Sequence, residues 1–545
     1  MQSKLPGARH LLWLVPVAFL TGCSKEPQET TNQPEQESAN VSMQEIKPPV
    51  AKKVPYEMTA HGDKRVDNYY WMRDDERKDP EIIAHLEAEN NYTKTMLAHT
   101  ESMQEQLFNE IVSRIEKDDD SVPYKKGDYF YYDRYEADKE YPIYARKKGS
   151  LDAEEEITLD VNQLAEGKEF FVVGNLDYSP DEQLLAYAED SLSRRIYTIR
   201  LKDLSTGKLR EDVLEEASAS LAFSADSQYL FYIRKDLQTL LGNRVFRHKI
   251  GTPQSEDVLV YEEQDNTLYL GLGVSDDDQT LMISRGNSTS GSVMVLDANN
   301  PTGEFQLFQP HEVFIQYDLD TIGDYYFYIT NRDATNFKIY RIQKDKVGEP
   351  DAWQLVIPHR EQTLIEDFEL FHDYLVLVEK QDGLNNLVIY NHEGELIRNI
   401  EFKDAAYSMD LDVNVNNDSS VVRFEYSSLT TPDSIYEVDI KTGKQTLLKQ
   451  DKVLGDYDPE LYQSERFFVE ARDGAEIPVS MVYRKDFFKR DGTSPLYQYA
   501  YGSYGYSIPP SFSSSTLSLI NRGFVFAIAH IRGSSTMGRQ WYEDG

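Results

Sequence analysis

Cysteine is all but missing. Cys23 is the only one in 545 residues, so no intramolecular disulfide can form and the fold must rest on buried apolar surface. Positive charge is scarce as well: 57 Lys and Arg against 94 Asp and Glu give a formal net charge of -37, which argues against a polyanionic nucleic-acid partner. The acids are spread through the chain, so most belong to solvated surface; an acidic interior would in addition draw in basic peptides. No metal or cofactor is expected, because His61, His85 and His99 lack the spacing of a ligand set. Against these shortages stand 40% apolar and 12% aromatic residues, enough for real cores in a chain that exceeds one ordinary domain.

The apolar run at residues 11–20 follows Lys4 and Arg9. It is long enough for the core of a signal peptide but short for a membrane span. It leads into Leu20-Thr21-Gly22-Cys23, which resembles a bacterial lipoprotein box, where a cysteine after small residues is diacylated and becomes the new N-terminus. The resemblance implies a signal peptide at residues 1–22 and lipidation of Cys23. A flexible tether follows at residues 23–50, rich in Gln, Glu, Pro, Ser and Thr and almost without aromatics. Ser24 in place of Asp favours the outer membrane, so the expected location is the bacterial cell envelope, lipid-anchored on the periplasmic side.

Folded sequence starts near Val54. Tyr69, Tyr70 and Trp71 sit among charged residues, and Pro80 opens a helical pattern through Ile83, Leu86, Tyr92 and Met96, with a second pattern at 103–115. Residues 51–120 are therefore expected to form a helical arm. From about residue 121 the period shortens to that of strands, and a unit repeats. Leu176-Asp177-Tyr178-Ser179-Pro180-Asp181, Leu221-Ala222-Phe223-Ser224-Ala225-Asp226 and Leu272-Gly273-Val274-Ser275-Asp276-Asp277 each put an aspartate in a tight turn ahead of a buried strand. Outer strands closing each unit are expected near Tyr144, Tyr197, Phe246, Val295, Tyr340, Ile389 and Tyr436. They are roughly 45 to 53 residues apart, the length of a four-stranded propeller blade. Seven closings predict a seven-bladed β-propeller over residues 121–455. Asp410-Leu411-Asp412-Val413-Asn414 has the look of a calcium loop, but Val415 stands for the required Gly and Val421 for the bidentate Glu. An exposed alternating strand is expected there instead.

After Gly455 the repeat ends. Residues 467–469 and 477–483, joined by Asp473-Gly474, read as a hairpin. A strand at 496–501, the turn Gly502-Ser503-Tyr504-Gly505, a mixed segment at 512–520 and a second strand at 523–530 read as the opening of a buried sheet with crossovers.

These segments together resemble the prolyl oligopeptidase family of serine peptidases, and within it the oligopeptidase B branch. The resemblance is carried by His61-Gly62-Asp63-Lys64-Arg65-Val66-Asp67-Asn68-Tyr69-Tyr70-Trp71, Glu89-Asn90, Ala188-Glu189-Asp190-Ser191-Leu192-Ser193-Arg194-Arg195 and Ser427-Ser428-Leu429-Thr430-Thr431-Pro432-Asp433. Downstream it rests on Ala471-Arg472-Asp473-Gly474, Tyr499-Ala500-Tyr501-Gly502-Ser503-Tyr504-Gly505, Arg522-Gly523, His530-Ile531-Arg532-Gly533 and Gln540-Trp541-Tyr542-Glu543-Asp544-Gly545. The fold class it implies is a seven-bladed β-propeller plus an incomplete α/β-hydrolase domain, begun at residues 456–545 and truncated, with the N-terminal helical arm packed on that domain. The implied activity is cleavage of short peptides admitted past the propeller, after Lys or Arg. The implied partners are short basic peptides and, through the lipid, the membrane.

Such chemistry needs a serine activated by a histidine, an aspartate that orients the histidine, and donors for the oxyanion. In this fold the serine sits in Gly-x-Ser-x-Gly and is followed by the aspartate and then the histidine. The 545 residues contain no Gly-x-Ser-x-Gly, so the triad is expected to be absent and the chain as given inactive. Tyr501 matches the family tyrosine whose hydroxyl donates to the oxyanion, and Tyr504 falls where the family places an aromatic of the S1 wall. His530 is not expected to be catalytic, since it would have to follow the nucleophile; Ser503, Ser534 and Ser535 are turn residues without a nearby base in sequence. The alternative to a peptidase is a non-catalytic, lipid-anchored propeller that binds peptides.

Overall fold

The computed structural model describes residues 47–455 and 457–545; Cys23, the 1–22 leader and most of the tether lie outside the described residues. One compact unit ends at Ser113 and a second runs from Arg114 to Gly545.

In the first unit Tyr56–Ala60 and Asp63–Asp67 pair as an antiparallel hairpin. Its turn residues His61 and Gly62 have φ 52 and 82, the positive pair that a two-residue connection between right-twisted strands needs. Trp71 is anchored by donation from Nε1 to the Lys52 carbonyl at 2.9 Å, with Lys52 Nζ 4.7 Å from the ring centre. The helix Pro80–Leu97 begins where Asp79 Oδ1 accepts from the amides of Glu81 at 2.8 Å and Ile82 at 3.4 Å. A second helix spans Glu101–Val112.

The second unit opens with seven antiparallel blades, whose third strands are Ile143–Lys148, Tyr197–Asp203, Gly242–Lys249, Gly291–Asp297, Lys338–Gln343, Leu384–Tyr390 and Thr431–Asp439. The positions expected to close each unit fall on these third strands, and a further outer strand follows each. Two of the outer strands, Gln306–Leu307 and Gln445–Gln450, escape detection because they are short or exposed and carry no buried apolar alternation. Lys208–Phe223 serves twice: its first half is the outer strand of blade 2 and its second half the inner strand of blade 3, joining the two into one seven-stranded sheet.

The repeated aspartate turns share one geometry. In each, a serine hydroxyl (Ser179, Ser224, Ser275) donates to the aspartate two residues on at 2.6 Å. It accepts in return from the amide that starts the next strand, Leu184 at 2.9 Å, Tyr229 at 3.0 Å or Thr280 at 2.8 Å. The residue after each aspartate, Glu182, Ser227 or Asp278, takes φ 60, 56 or 55, so the side-chain bonds hold a backbone that non-glycine residues otherwise avoid.

Apolar clusters fill the spaces between successive blades, for example Phe231, Ile233, Leu281 and Ile283 between blades 3 and 4, and Val376, Val378, Phe424 and Val438 between blades 6 and 7. Blade 7 meets blade 1 through Val413 and Val415, which pack on the blade 1–2 cluster. Polar contacts add to that junction: Lys449 Nζ bonds Asp119 Oδ2 and the Asp120 carbonyl at 2.6 Å each, and Arg423 Nη1 donates to the Pro123 carbonyl at 3.1 Å. After the blades comes a four-stranded sheet. Tyr462–Glu470 and Glu476–Arg484 form its hairpin, Val525–Ala529 runs antiparallel to the latter, and Leu496–Ala500 runs parallel to Val525–Ala529. A parallel pair needs a crossover, and the connecting chain includes the helix Thr516–Ile520. Leu517 and Ile520 of that helix pack on Val482, Ile528 and the blade-7 loop residue Leu429.

Candidate active site

The strand Leu496–Ala500 ends at Tyr501, and the chain then turns against residues 531–535. A Cβ on Gly533 would collide with the Gly502 carbonyl, and one on Gly502 would lie 2.7 Å from the Arg532 carbonyl. The Gly505 amide donates to the Gly533 carbonyl at 2.8 Å and the Ser535 amide to the Gly505 carbonyl at 2.9 Å. Only glycine at these positions permits so close a crossing of two backbones. The crossing fixes Tyr504 at φ 60 and leaves it 62% exposed.

Tyr504 stands in the wall of a cavity of about 390 Å³. Residues 504–510 and His530 bound it from the hydrolase side; inner strands of blades 5, 6 and 7 and the 286–291 loop of blade 4 bound it from the propeller side. Tyr501 does not line this space and meets it through Tyr506, whose ring centre is 6.0 Å from its own in an edge-on contact. The structure thus brings Tyr504 into the chamber and sets Tyr501 immediately behind it.

His530 is 5% exposed, and its Nε2 lies 2.8 Å from the Oγ of the fully buried Ser480. Burial, reinforced by the charges of Arg466 and Lys380, pushes the imidazole down to about 4. A neutral histidine so placed braces the sheet and is poorly suited to general-base work near neutrality. Ser534 Oγ donates to the Ile531 carbonyl at 2.7 Å and shares a hydroxyl–hydroxyl contact with Thr536 Oγ1 at 3.0 Å, which makes it a loop tie.

The propeller side of the chamber carries a pattern that sequence reading missed. Asp318-Leu319-Asp320, Asp367-Phe368-Glu369 and Asp410-Leu411-Asp412 recur around the inner strands of blades 5, 6 and 7. The middle residue of each is buried, and the alternation of a strand sends its neighbours to the other face. Asp318, Asp367 and Asp410 line the chamber. The stretch starting at Asp410, expected as an exposed strand, belongs in part to the inner strand Tyr407–Leu411, where Tyr407, Met409 and Leu411 are all buried against neighbouring blades. The signal that could have found it was the acid-apolar-acid triplet repeating at blade spacing. Cations in the same wall are matched locally: Lys380 Nζ pairs with Glu366 at 2.9 Å and Arg285 Nε with Glu263 at 2.7 Å. Arg539, 8% exposed, sends Nη1 to Gln316 Oε1 at 2.5 Å and its amide to Asn336 Oδ1 at 2.9 Å, tying the helix Arg539–Glu543 to the propeller.

Comparison with known proteins agrees with this architecture. Residues 48–451 match the prolyl oligopeptidase N-terminal beta-propeller domain, and residues 510–545 match the prolyl oligopeptidase family. Dipeptidyl aminopeptidase BI of Pseudoxanthomonas mexicana is 42% identical over 515 residues, covering 91% of this chain and 70% of that protein. Protease 2 of Moraxella lacunata is 31% identical over 507 residues, covering 92% and 72%. The structure of oligopeptidase B from Leishmania major superposes with a TM-score of 0.86 at 32% identity, over 92% of this chain and 73% of that one. The seven blades, the sheet that follows them and these matches together establish that the chain belongs to the prolyl oligopeptidase family of serine peptidases.

Proposed function

We propose that this chain supplies the propeller and the substrate-facing start of the hydrolase domain of a serine-type oligopeptidase that cuts short peptides after Lys or Arg. The observation that carries the proposal is the chamber between residues 504–510 and the acid-bearing inner strands of blades 5 to 7. Three carboxylates projecting into a partly enclosed space of that size favour a cationic peptide over a neutral or anionic one. Tyr504 forms one wall of the specificity pocket, and the Tyr501 hydroxyl donates to the oxyanion. Phenylalanine at 501 in an enzyme carrying the nucleophile should lower kcat about 100-fold with little change in KM, since one oxyanion donor contributes about 3 kcal/mol to the transition state. An unchanged kcat would remove Tyr501 from the site.

With no Gly-x-Ser-x-Gly among its residues, the purified 545-residue protein should not hydrolyse Arg- or Lys-linked chromogenic peptides; turnover abolished by a serine-directed inhibitor would refute this. Sequencing downstream of the Gly545 codon tests the larger claim. A frame that continues, directly or after one shift, into a Gly-x-Ser-x-Gly segment supports the peptidase, whereas a stop codon in several independent isolates supports a peptide-binding propeller. The identity to a dipeptidyl aminopeptidase favours a second reading, release of dipeptides from a free N-terminus. Matched substrates with free and acetylated N-termini separate the two, because only an endopeptidase accepts both. The lipid anchor at Cys23 and the outer-membrane location belong to the same proposal, and fatty-acid labelling that persists in Cys23→Ala would exclude them.

A further inference from the structure

The inner strand of blade 6, Thr363–Leu370, is one residue longer than the strand it pairs with, Leu375–Gln381. Ile365 pairs with Glu379 and Asp367 with Val378, so Glu366 has no residue opposite it. The extra residue resets the alternation of the strand. Ile365, Phe368 and Leu370 all pack into the apolar cluster between blades 5 and 6, although the first two stand on opposite faces of any regular strand. Glu366 and Asp367, which regular alternation would separate, both line the chamber. Bulges of this kind are concentrated beside active sites, where they re-aim a side chain.

The two acids are held differently. Asp367 Oδ1 accepts from the Phe368 amide at 2.9 Å and so caps an edge donor of its own strand. Glu366 Oε1 meets Lys380 Nζ at 2.9 Å. Lys380 also lines the chamber, is 8% exposed, and stands near enough to the hydrolase side for its charge to act on His530. Two other cations of the wall, Arg285 and Arg539, pair with Glu263 and Glu543, which lie outside it. The Glu366–Lys380 pair, by contrast, has both members in the wall. Desolvation cancels most of the attraction in such a pair, so exchanging its cation for one of better geometry costs little. An ammonium is a point charge, whereas a guanidinium fork engages both oxygens of a carboxylate.

We propose that Glu366 is the carboxylate that recognises the basic side chain of a peptide in the chamber, and that Lys380 is a built-in competitor which this side chain displaces. The acidic wall draws the cation in, and the flexible four-carbon stem of Lys380 lets its ammonium leave the carboxylate without leaving the chamber. A peptide without a strong cation cannot displace it, so Lys380 sharpens the choice of substrate as well as neutralising Glu366. The proposal rests on the peptidase reading and adds to it a specificity-determining residue on the propeller side.

The test uses the 545-residue protein in anisotropy titrations with a fluorescently labelled pentapeptide amide carrying one arginine, and with its citrulline counterpart, which keeps the shape and loses the charge. The arginine peptide should bind about tenfold tighter. Lys380→Met should raise that preference to about fiftyfold, with citrulline affinity unchanged, because the competing cation is gone. Glu366→Gln should bring it below about threefold. That variant leaves a buried ammonium unpaired, so Glu366→Gln/Lys380→Met, which removes both charges, carries the same expectation should the single variant fail to fold; thermal melts establish which variants are folded. Glu369→Gln, on the same strand but outside the chamber wall, should leave the preference within about twofold of the parent. Arginine and citrulline peptides that behave alike in the parent, whether both bind or neither does, overturn the proposal. So do a preference that survives the double variant, a preference that Lys380→Met leaves unchanged or lowers, and a loss in Glu369→Gln as large as in Glu366→Gln. The peptidase reading fails separately, if an enzyme carrying the nucleophile leaves the arginine peptide uncut; if it cuts that peptide with a kcat/KM indifferent to Glu366→Gln, this assignment falls and the peptidase reading stands.

Discussion

His248 shows what single residues contribute here and why sequence alone conceals it. The imidazole is fully buried, with Nε2 3.0 Å from Asp212 Oδ1 and Nδ1 2.7 Å from Asp257 Oδ1. Burial disfavours its charge, but the two carboxylates outweigh burial and raise it from 6.5 to about 9; Asp212, buried as well, is held well below the usual carboxylate range by His248, the Gly251 amide and Arg210. A group whose pKa is higher folded than unfolded stabilises fully below the unfolded value and ceases to do so as pH rises through the folded one. Urea unfolding should therefore give a free energy that is highest near pH 6, falls between about 6.5 and 9, and then levels off. His248→Gln should remove that limb and cost about 3 kcal/mol at pH 6, because two buried carboxylates lose their counterion. A parent profile flat across that range would mean that the imidazole is neutral in the fold. Nothing in the sequence separates His248 from His85 or His99, since its partners lie 36 residues upstream and 9 downstream and meet only through strand pairing. Tyr504, by contrast, stands in a contiguous Gly-rich motif that sequence alone displays, and the structure places it in the chamber wall.

Elements were legible where their signal is local. The Ser-x-Asp turns could be read because the whole bonding unit, serine, aspartate and the amide it caps, spans six residues, as in Ser224 to Tyr229. Some outer strands were not, because an exposed strand needs no apolar pattern, and of the inner acid triplets only the Asp410 stretch stands out in sequence, as an exposed strand that the topology turns inward. The crossing of residues 502–505 over 531–535 lies between these cases. Its glycines are visible in sequence, but their need for one another is not. Gly533 sits at φ 89 with no room for a Cβ beside the Gly502 carbonyl. Gly533→Ala should cost more than about 2 kcal/mol, combining a strained backbone with a collision against main chain that no side-chain rotamer relieves. Gly474→Ala, also at positive φ but with open space around its Cβ, should cost about 1 kcal/mol and serves as the control. Equal melting temperatures for the two variants would mean that the crossing is looser than its geometry states.

At the scale of the whole molecule, a ring of blades has one junction unlike the others. Blades 2 and 3 share a continuous strand, and the remaining sequential junctions join neighbours along the chain through clusters of buried apolar residues. Blades 7 and 1 lie at opposite ends of the propeller sequence. They meet through half-buried Val413 and Val415, the bridge between Ile115 and Val453, the Lys449 contacts and Arg423. Repeat periodicity predicts how many blades there are but says nothing of how the last finds the first, so this junction had no sequence signature. Less buried apolar area means a lower free energy of local opening. Hydrogen exchange followed by mass spectrometry should therefore show residues 114–126 and 445–454 exchanging faster than the shared strand Lys208–Phe223. Arg423 is the residue to test, because its Nη2 also pairs with Glu437 at 2.9 Å while Nη1 reaches the Pro123 carbonyl. Arg423→Met keeps the packing but leaves the carboxylate and the carbonyl without their donor, at a cost of about 2 kcal/mol. Exchange at residues 119–126 should then accelerate about 30-fold, the factor that this energy implies for an opening equilibrium, while Lys208–Phe223 stays protected. If both regions accelerate together, the propeller opens as one cooperative body and the junction is no weaker than the rest.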